Sequence, residues 1–233
     1  MLVILARQQD QTANVLAERW KDHDAHLLTS ADLSTVGWHH HLPENGGSQA
    51  VVGGRVVTTK GIAGVLTRLP YVDEGELHHI VPEDRAYVSS EMTAFLVSWL
   101  SGLTCPVLNR PSPACLIGPN WRPEQWVHLA AQLGIAVCPV RRDVTTTGEA
   151  RNEVHRPPLL PVTVVGDRWF GGVEHTLGAQ ARCLAQAAGV DLLAAYFEAT
   201  QSGYALRGVD LQPDVSSPEV ADAILEYLTA DSR

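Results

Sequence analysis

The sequence predicts an α/β protein whose N-terminal half is built on a parallel sheet. Residues 2–6 form a continuous apolar run, which is typical of a strand buried on both faces. A segment with helical spacing over residues 12–20 and a second apolar run over residues 25–28 complete a β-α-β unit. Because strands that alternate with helices pair in parallel, this opening predicts a parallel sheet.

The later elements follow from glycine turns and apolar periodicity. Residues 49–60 predict a hairpin, because two apolar segments flank Gly53-Gly54, a pair suited to a tight turn. The longest helix is predicted over residues 83–103, where apolar side chains recur at helical spacing. The other predicted strands cover residues 64–67, 107–108, 135–140, 159–165, 168–172, 192–199 and 205–211, and the other helices cover residues 123–133, 176–188 and 218–228.

Composition excludes several classes of function. The chain has 233 residues and a formal net charge of −9, which argues against a nucleic-acid partner or an anionic membrane surface. No apolar run reaches the ~18 residues of a membrane span. The four cysteines lack Cys-x-x-Cys spacing, and the apolar start lacks the basic residues of a signal peptide. We therefore expect a cytoplasmic protein with free thiols.

Several short motifs occur in a characteristic order. They are Arg68-Leu-Pro70 after a strand, Asn109-Arg-Pro111 after the long helix and the next strand, the helix and strand over residues 125–140, Val164-Val-Gly-Asp-Arg168, and the final strand pair. Together they resemble the ATP-grasp superfamily, in the branch of glutathione-synthetase-like and ribosomal-protein-modifying ligases. The resemblance implies a pre-ATP-grasp-like domain over residues 1–140 and a truncated ATP-grasp-like half over residues 159–233, with residues 141–158 as a linker.

The chain departs from this family where nucleotide phosphates are held. The family carries an α+β lid between the two halves, with a lysine that grips the phosphates, and residues 141–158 are too few for such a lid. A second family lysine aligns with Arg122. No lysine follows Lys60 in this sequence. Arginine binds phosphate with a different geometry from lysine, so Arg122 and Arg182 are the nucleotide-binding candidates.

This sequence also has fewer of the metal-binding residues that are typical of the family. An acidic residue is expected in the strand over residues 192–199, and Tyr196 stands at the matching position. A second, Glu-x-Asn-Pro-like motif corresponds to Asp210-Leu-Gln212-Pro213. Magnesium prefers anionic oxygen ligands, and a phenol with a pKa near ~10 is a poor one. Asp210 and Gln212 are therefore the candidate metal and cofactor residues, and the competing interpretation is a solvated strand end.

Three further residues are candidates for binding a substrate or ligand. Arg68 and Asn109 follow parallel strands, and ligands of open α/β sheets collect at that edge. His175, which follows Gly171-Gly172, is the third. The competing interpretation of Arg68 is an arginine paired with a nearby carboxylate, and that of Asn109 is an asparagine that stabilises a turn.

Two functional hypotheses follow. In the first, the chain is a pseudoenzyme without a cofactor, which binds a protein partner or a peptide or amino-acid ligand beside a peptide-modifying enzyme. In the second, it is a minimal ATP- and Mg-dependent carboxylate–amine ligase. Arg122, Arg141, Arg142 and Arg182 then replace the lysines, and a partner subunit completes the site. A homodimer whose interface replaces the lid is a third arrangement.

Overall fold

The computed structural model describes residues 1–42, 47–139 and 158–230, which form two compact units. The first unit contains residues 1–120 and 214–233, and the second contains residues 121–213. In chain order the strands are β1 (Leu2–Leu5), β2 (Ala25–Leu28), β3 (Gln49–Val52), β4 (Arg55–Thr58), β5 (Gly64–Thr67), β6 (Val107–Leu108), β7 (Leu159–Val165), β8 (Arg168–Phe170), β9 (Leu192–Thr200) and β10 (Gly203–Asp210). The α-helices are α1 (Gln11–Arg19), α2 (Ser30–Leu33), α3 (Arg85–Gly102), α4 (Pro123–Gln132), α5 (His175–Ala188) and α6 (Pro218–Thr229).

A parallel sheet forms the centre of the first unit, as the sequence predicts. Its strand order is β2-β1-β5-β6, and every neighbouring pair is parallel. All four residues of β1 and all four of β5 are buried, because helices and loops cover both faces of the sheet. The carboxyl ends of β1, β5 and β6 therefore lie side by side.

The long helix α3 supplies much of the core of the first unit. Leu96, Trp99 and Leu100 are buried against side chains of β1 and β5. Trp38 packs edge-on against both Phe95 and Trp99, with ring centroids 5.2 and 5.5 Å away. The aromatic contacts fix the loop that precedes β3 against this helix.

The predicted hairpin forms a separate two-stranded ribbon. Strands β3 and β4 are antiparallel, and Gly53 and Gly54 adopt φ values of +56° and +74°. Both values favour glycine and are those of a tight two-residue hairpin turn. Ala50 and Val52 on β3 belong to the core of the first unit, whereas β4 is largely exposed.

The C-terminal helix α6 packs with the N-terminal unit. A Cβ atom at Gly64 on β5 would lie 2.6 Å from the carbonyl oxygen of Leu228, so the two backbones are in close contact. Arg19 of α1 also forms an ion pair of 2.7 Å with Asp222 of α6. The two units thus divide the chain at Asn120 and Pro213, whereas the motif order predicts a division at residues 140 and 159.

An antiparallel sheet forms the second unit. The strand order is β10-β9-β7-β8, with every neighbouring pair antiparallel.

The predicted strand over residues 135–140 is wrong for residues 135–139, where a single parallel bridge joins Val137 to Leu206 of β10. Strand β10 has an irregularity between Leu206 and Gly208, directly after the bridged residue.

Two further expectations concern thiols and the lid. The four cysteines are free, as expected; Cys115 and Cys138 are buried, and Cys183 is exposed on α5. The predicted linker 141–158 lies outside the described residues except for Pro158. None of the described helices is long and apolar enough to cross a bilayer.

Candidate functional site

A charged cluster occupies the carboxyl edge of the parallel sheet. Asp10 lies just beyond β1, and Arg68 directly follows β5. The Arg68 Nε atom donates to Asp10 Oδ2 at 2.9 Å, and the two side chains are only 11% and 18% exposed. Asp10 Oδ1 also accepts from the N–H of Ala13, which caps α1. The pair therefore joins the start of a helix to the end of a strand.

Asn109 is built into the same edge. It directly follows β6, is only 2% exposed, and its side-chain amide donates to the carbonyl of Ile117 at 3.1 Å. The hydroxyl of Thr67 donates to the carbonyl of Leu108 at 2.7 Å, which links β5 to the same turn. Both ligand candidates at this edge, Arg68 and Asn109, thus have structural partners of the kind that the competing interpretation predicts.

The edge carries further charges that sequence reasoning missed. Arg7 and Asp73 form an ion pair of 2.9 Å between half-exposed side chains. Asp214 lies close enough to Arg68 for the guanidinium to affect its carboxyl group. Hydrogen bonds from the Ser216 hydroxyl and N–H, together with this guanidinium, lower the pKa of Asp214. These acids and bases are far apart in sequence, so no motif could have indicated their proximity.

The second candidate region is one face of the antiparallel sheet. In the β9–β10 register Tyr196 lies opposite Gly208, and Asp210 lies opposite Ala194. Because residues two apart share a face, Tyr196, Glu198 and Asp210 project to the same side. Leu193, Ala195 and Phe197 project to the other side, where they are buried under α4 and α5. We call the first side the polar face of this sheet.

The predicted metal residues form a turn at the edge of the polar face. Asp210 is exposed, and its Oδ1 atom accepts from the Gln212 N–H at 2.8 Å. Among the described residues, no three His, Cys, Asp or Glu side chains are grouped closely enough to hold a metal ion. Magnesium at nucleotide sites is usually held by one or two carboxylates together with phosphate oxygens and waters, and Asp210 is the carboxylate that this turn offers.

Glu198 and Arg207 form an ion pair beside Cys138. Arg207 Nε lies 3.6 Å from Glu198 Oε2. Burial raises the pKa of the Cys138 thiol and the Glu198 carboxylate adds to the rise, against the opposing effect of Arg207. Cys138 is therefore a protonated thiol at neutral pH rather than a nucleophile. Sequence reasoning missed Glu198 as a polar-face residue, although its spacing of two from Tyr196 is a usable signal.

The remaining candidates that the structure describes lie on or at the start of helices α4 and α5 of the second unit. Arg182 is exposed on α5, which covers the face of the sheet opposite to Asp210. Arg122 is exposed at the start of α4, where its N–H donates to the side chain of Gln125. His175 is exposed at the start of α5, with its ring 6.0 Å from that of Trp169. Arg141 and Arg142 lie outside the described residues.

A concave surface runs along α4 next to Arg122. Its volume is about 400 Å³, and it is lined by Trp121, Glu124, Gln125, His128, Leu129 and Gln132. Trp121 lies against the buried Trp126, with ring centroids 4.8 Å apart. Among the described residues, the lining combines aromatic and aliphatic carbon with the carboxyl group of Glu124 and the imidazole of His128, and it contains neither lysine nor arginine.

Comparison with known proteins identifies the fold. No protein-family model and no curated protein matches the chain. The macrocyclase MdnC from Microcystis aeruginosa, bound with precursor peptide MdnA, is similar with a TM-score of 0.70 and 12% identity, over 98% of this chain and 99% of that one. A RiPP-associated ATP-grasp ligase from Chryseobacterium gregarium, in complex with ADP and a leader and core peptide, has a TM-score of 0.66 and 10% identity, over 97% and 96%. The ATP-grasp ligase PsnB with a precursor variant, Mg and ADP has a TM-score of 0.69 and 14% identity, over 97% and 98%.

These similarities confirm the predicted fold. The mixed α/β architecture, with a parallel sheet in one unit and an antiparallel sheet in the other, is ATP-grasp-like. At 10–14% identity the likeness concerns the fold alone. The function must be argued from the side chains of this chain.

Proposed function

We propose that this chain is a pseudoenzyme with an ATP-grasp-like fold, which binds a peptide as a non-catalytic subunit in peptide modification. The peptide class is suggested by the three structures of similar fold, each of which holds a precursor peptide, a precursor variant, or a leader and core peptide. The proposed loss of catalysis rests on residues of this chain.

The single observation that carries the proposal is that the polar face offers few groups that could coordinate a metal ion. Asp210 is its exposed carboxylate at the end of β10, and one oxygen already accepts from Gln212. Glu198 on the same face is paired with Arg207. Phosphoryl transfer from ATP depends on magnesium and cations that neutralise the phosphates. One exposed carboxylate is a poor basis for holding Mg-ATP.

The distribution of cations supports the same conclusion. The last lysine of the chain is Lys60, in the first unit, so the second unit has no lysine. For the ligase hypothesis, arginines would have to gather beside Asp210. Among the described residues, Arg182 lies on a helix that covers the opposite face, and Arg122 caps another helix on that side. No observation therefore favours the ligase over the non-catalytic role.

An assay of ADP formation tests the loss of catalysis. Purified protein is incubated with ATP, Mg²⁺, a glutamate-rich peptide and an amine donor, because a carboxylate–amine ligase releases one ADP for each bond formed. We expect ADP formation no faster than in the protein-free blank. Asp210→Asn is the test variant and Asp84→Asn, an exposed carboxylate at the start of α3, is its matched control. ADP formation that Asp210→Asn abolishes and Asp84→Asn retains would contradict the proposal.

A further inference from the structure

The outer edge of β4 is an unpaired strand edge. The ribbon of β3 and β4 has only two strands, and among the described residues no other strand pairs with β4. The strand is short and mostly exposed, with the Val56 side chain 52% exposed. An uncovered edge of this kind is a template for pairing with another extended chain.

The ladder register shows which backbone groups face outward. In an antiparallel pair, opposed residues alternate between those that exchange hydrogen bonds and those that do not. Gln49 lies opposite Thr58, yet it exchanges both of its backbone hydrogen bonds with His39, at 2.7 and 3.1 Å. Gln49 and Thr58 are therefore a non-bonded pair. Val56 therefore directs its N–H and C=O groups to the outer edge, and Thr58 directs its N–H there, whereas the Thr58 C=O begins the 3-10 turn over Thr59–Gly61.

The ribbon is positively charged within an acidic protein. The stretch from residue 45 to residue 72 contains no acidic residue, whereas the chain as a whole has a net charge of −9. Arg55 and Lys60 at the two ends of β4 are both exposed. The acid that faces Arg55 is Asp24, which also bonds His26 at 2.8 Å and lies 3.9 Å from the N-terminal ammonium. Asp32 also contacts the ribbon, where its Oδ1 atom accepts from the Gly54 N–H at 2.7 Å. Arg55, Lys60 and the N-terminal ammonium still outnumber these two acids, so the local charge favours an acidic partner.

We infer that the outer edge of β4 binds an extended acidic peptide as a third strand of the ribbon. The N–H and C=O groups of Val56 and the N–H of Thr58 pair with the peptide backbone, and the exposed Val56 packs against an apolar side chain beside it. Arg55 and Lys60 attract carboxylates that flank this apolar position. The inference rests on the proposed peptide-binding role and gives that role a site and a ligand chemistry.

A second copy of this chain fits the edge less well. Antiparallel pairing of β4 with its own symmetry mate would bring Arg55 of each copy near Lys60 of the other, at both ends of the paired strands. Like charges opposed across strands destabilise a sheet. An acidic peptide removes this repulsion, so charge complementarity selects it as the occupant.

Thr58→Pro is the variant that blocks the edge with least damage. The φ angle of Thr58 is −79°, which proline adopts, and its N–H makes no bond within the ribbon. Proline at this position removes one outward donor and leaves the ladder with β3 intact. Thr58→Val keeps the N–H and a similar shape and is the matched control. The melting temperature of each variant shows whether the fold is retained.

The probe is the acetylated and amidated peptide Glu-Val-Thr-Val-Glu, and a version with lysine in place of glutamate is its charge control. Binding is followed by NMR in nucleotide-free protein, with amide hydrogen exchange measured at Val56 and Thr58. We expect binding in the range up to about 1 mM, slower exchange at both amides, and roughly fivefold weaker binding by Thr58→Pro. Thr58→Val should bind like the original protein, and the lysine peptide should bind several-fold more weakly.

Other outcomes overturn the inference in distinguishable ways. Peptide binding that leaves the Val56 and Thr58 amides unchanged would place the site elsewhere but leave the peptide-binding role standing. Protection of these amides that rises with protein concentration alone would identify a second copy as the occupant. Equal affinity of Thr58→Pro and Thr58→Val, or no binding of the glutamate peptide, would remove β4 as an acidic-peptide site. The ADP assay tests the loss of catalysis separately.

Discussion

Arg68 at the end of β5 and Asp10 at the start of α1 form an ion pair of 2.9 Å that is largely shielded from water. Asp10 at the same time caps α1 through the N–H of Ala13. The edge where α/β proteins usually bind ligands is therefore partly filled by its own charges. In this chain the arginine of the family-like Arg68-Leu-Pro70 motif has a clear structural role.

Replacing Arg68 should destabilise the protein more than replacing a surface arginine. Arg68→Met leaves the shielded Asp10 carboxylate without its cation, and we expect a loss of about 1–3 kcal/mol in the free energy of unfolding. Arg7→Met, which breaks the more exposed pair with Asp73, should cost less than about 1 kcal/mol. Urea denaturation of both variants checks this difference. Equal losses would show that the Arg68 pair has no special role.

The close contact between β5 and α6 leaves no room for a side chain at Gly64. In Gly64→Ala the new methyl would lie 2.6 Å from the Leu228 carbonyl oxygen, so the helix must shift. We expect a loss of about 1–3 kcal/mol in the free energy of unfolding. Gly61→Ala is the control in the same unit, because its Cβ would meet only the Thr58 hydroxyl at an ordinary 3.5 Å. Comparable unfolding midpoints for the two variants would argue against the contact.

The packing of Trp169 on α5 should likewise reject a methyl group at Gly178. A Cβ atom there would overlap the indole ring. Alanine normally favours a helix over glycine by about 1 kcal/mol, so a destabilised Gly178→Ala protein would reveal steric conflict. The double variant Gly178→Ala/Trp169→Leu should recover part of the loss, as measured in a double-mutant cycle of unfolding. Strict additivity would show that the two residues are not in contact.

The lowered pKa of Asp214 predicts a pH-dependent contribution to stability. The pKa of Asp214 in the folded state lies below the usual value of 3.8. The ionised carboxylate therefore contributes its full stabilisation of the fold at pH values above 3.8. The contribution is lost as the pH falls through the folded-state value. Asp214→Asn should therefore lower the melting temperature at pH 7 but not near pH 2, and Ser216→Ala should reproduce part of the effect. A difference that persists at the lower pH would contradict this cause.

Local patterns were sufficient to predict most of the elements. The β-α-β opening, the turn at Gly53-Gly54 and the strands of the second unit are set by residues close in sequence, so their spacing indicates them. The motif order predicted the ATP-grasp-like fold, which the structural comparisons confirm. What local patterns could not indicate was the return of α6 to the first unit. That packing depends on Gly64 and Leu228, which no spacing rule relates.

The candidate sites were predictable only in part. Register places Tyr196 and Asp210 on one face, as alternation along a strand implies. The partners of the charged groups were not predictable, because Asp10, Arg68 and Asp214 meet only after folding. Likewise, the unpaired edge of β4 becomes visible only through the bonds between Gln49 and His39.

Calorimetric titration with a non-hydrolysable ATP analogue tests the central claim most directly. The protein is titrated to about 1 mM with the analogue, with and without Mg²⁺, beside Asp210→Asn and the control Asp84→Asn. The proposed loss of the Mg-nucleotide site predicts no Mg²⁺-dependent heat for any of the three proteins. Binding that requires Mg²⁺, persists in Asp84→Asn and disappears in Asp210→Asn would contradict the claim and support the ATP-dependent ligase.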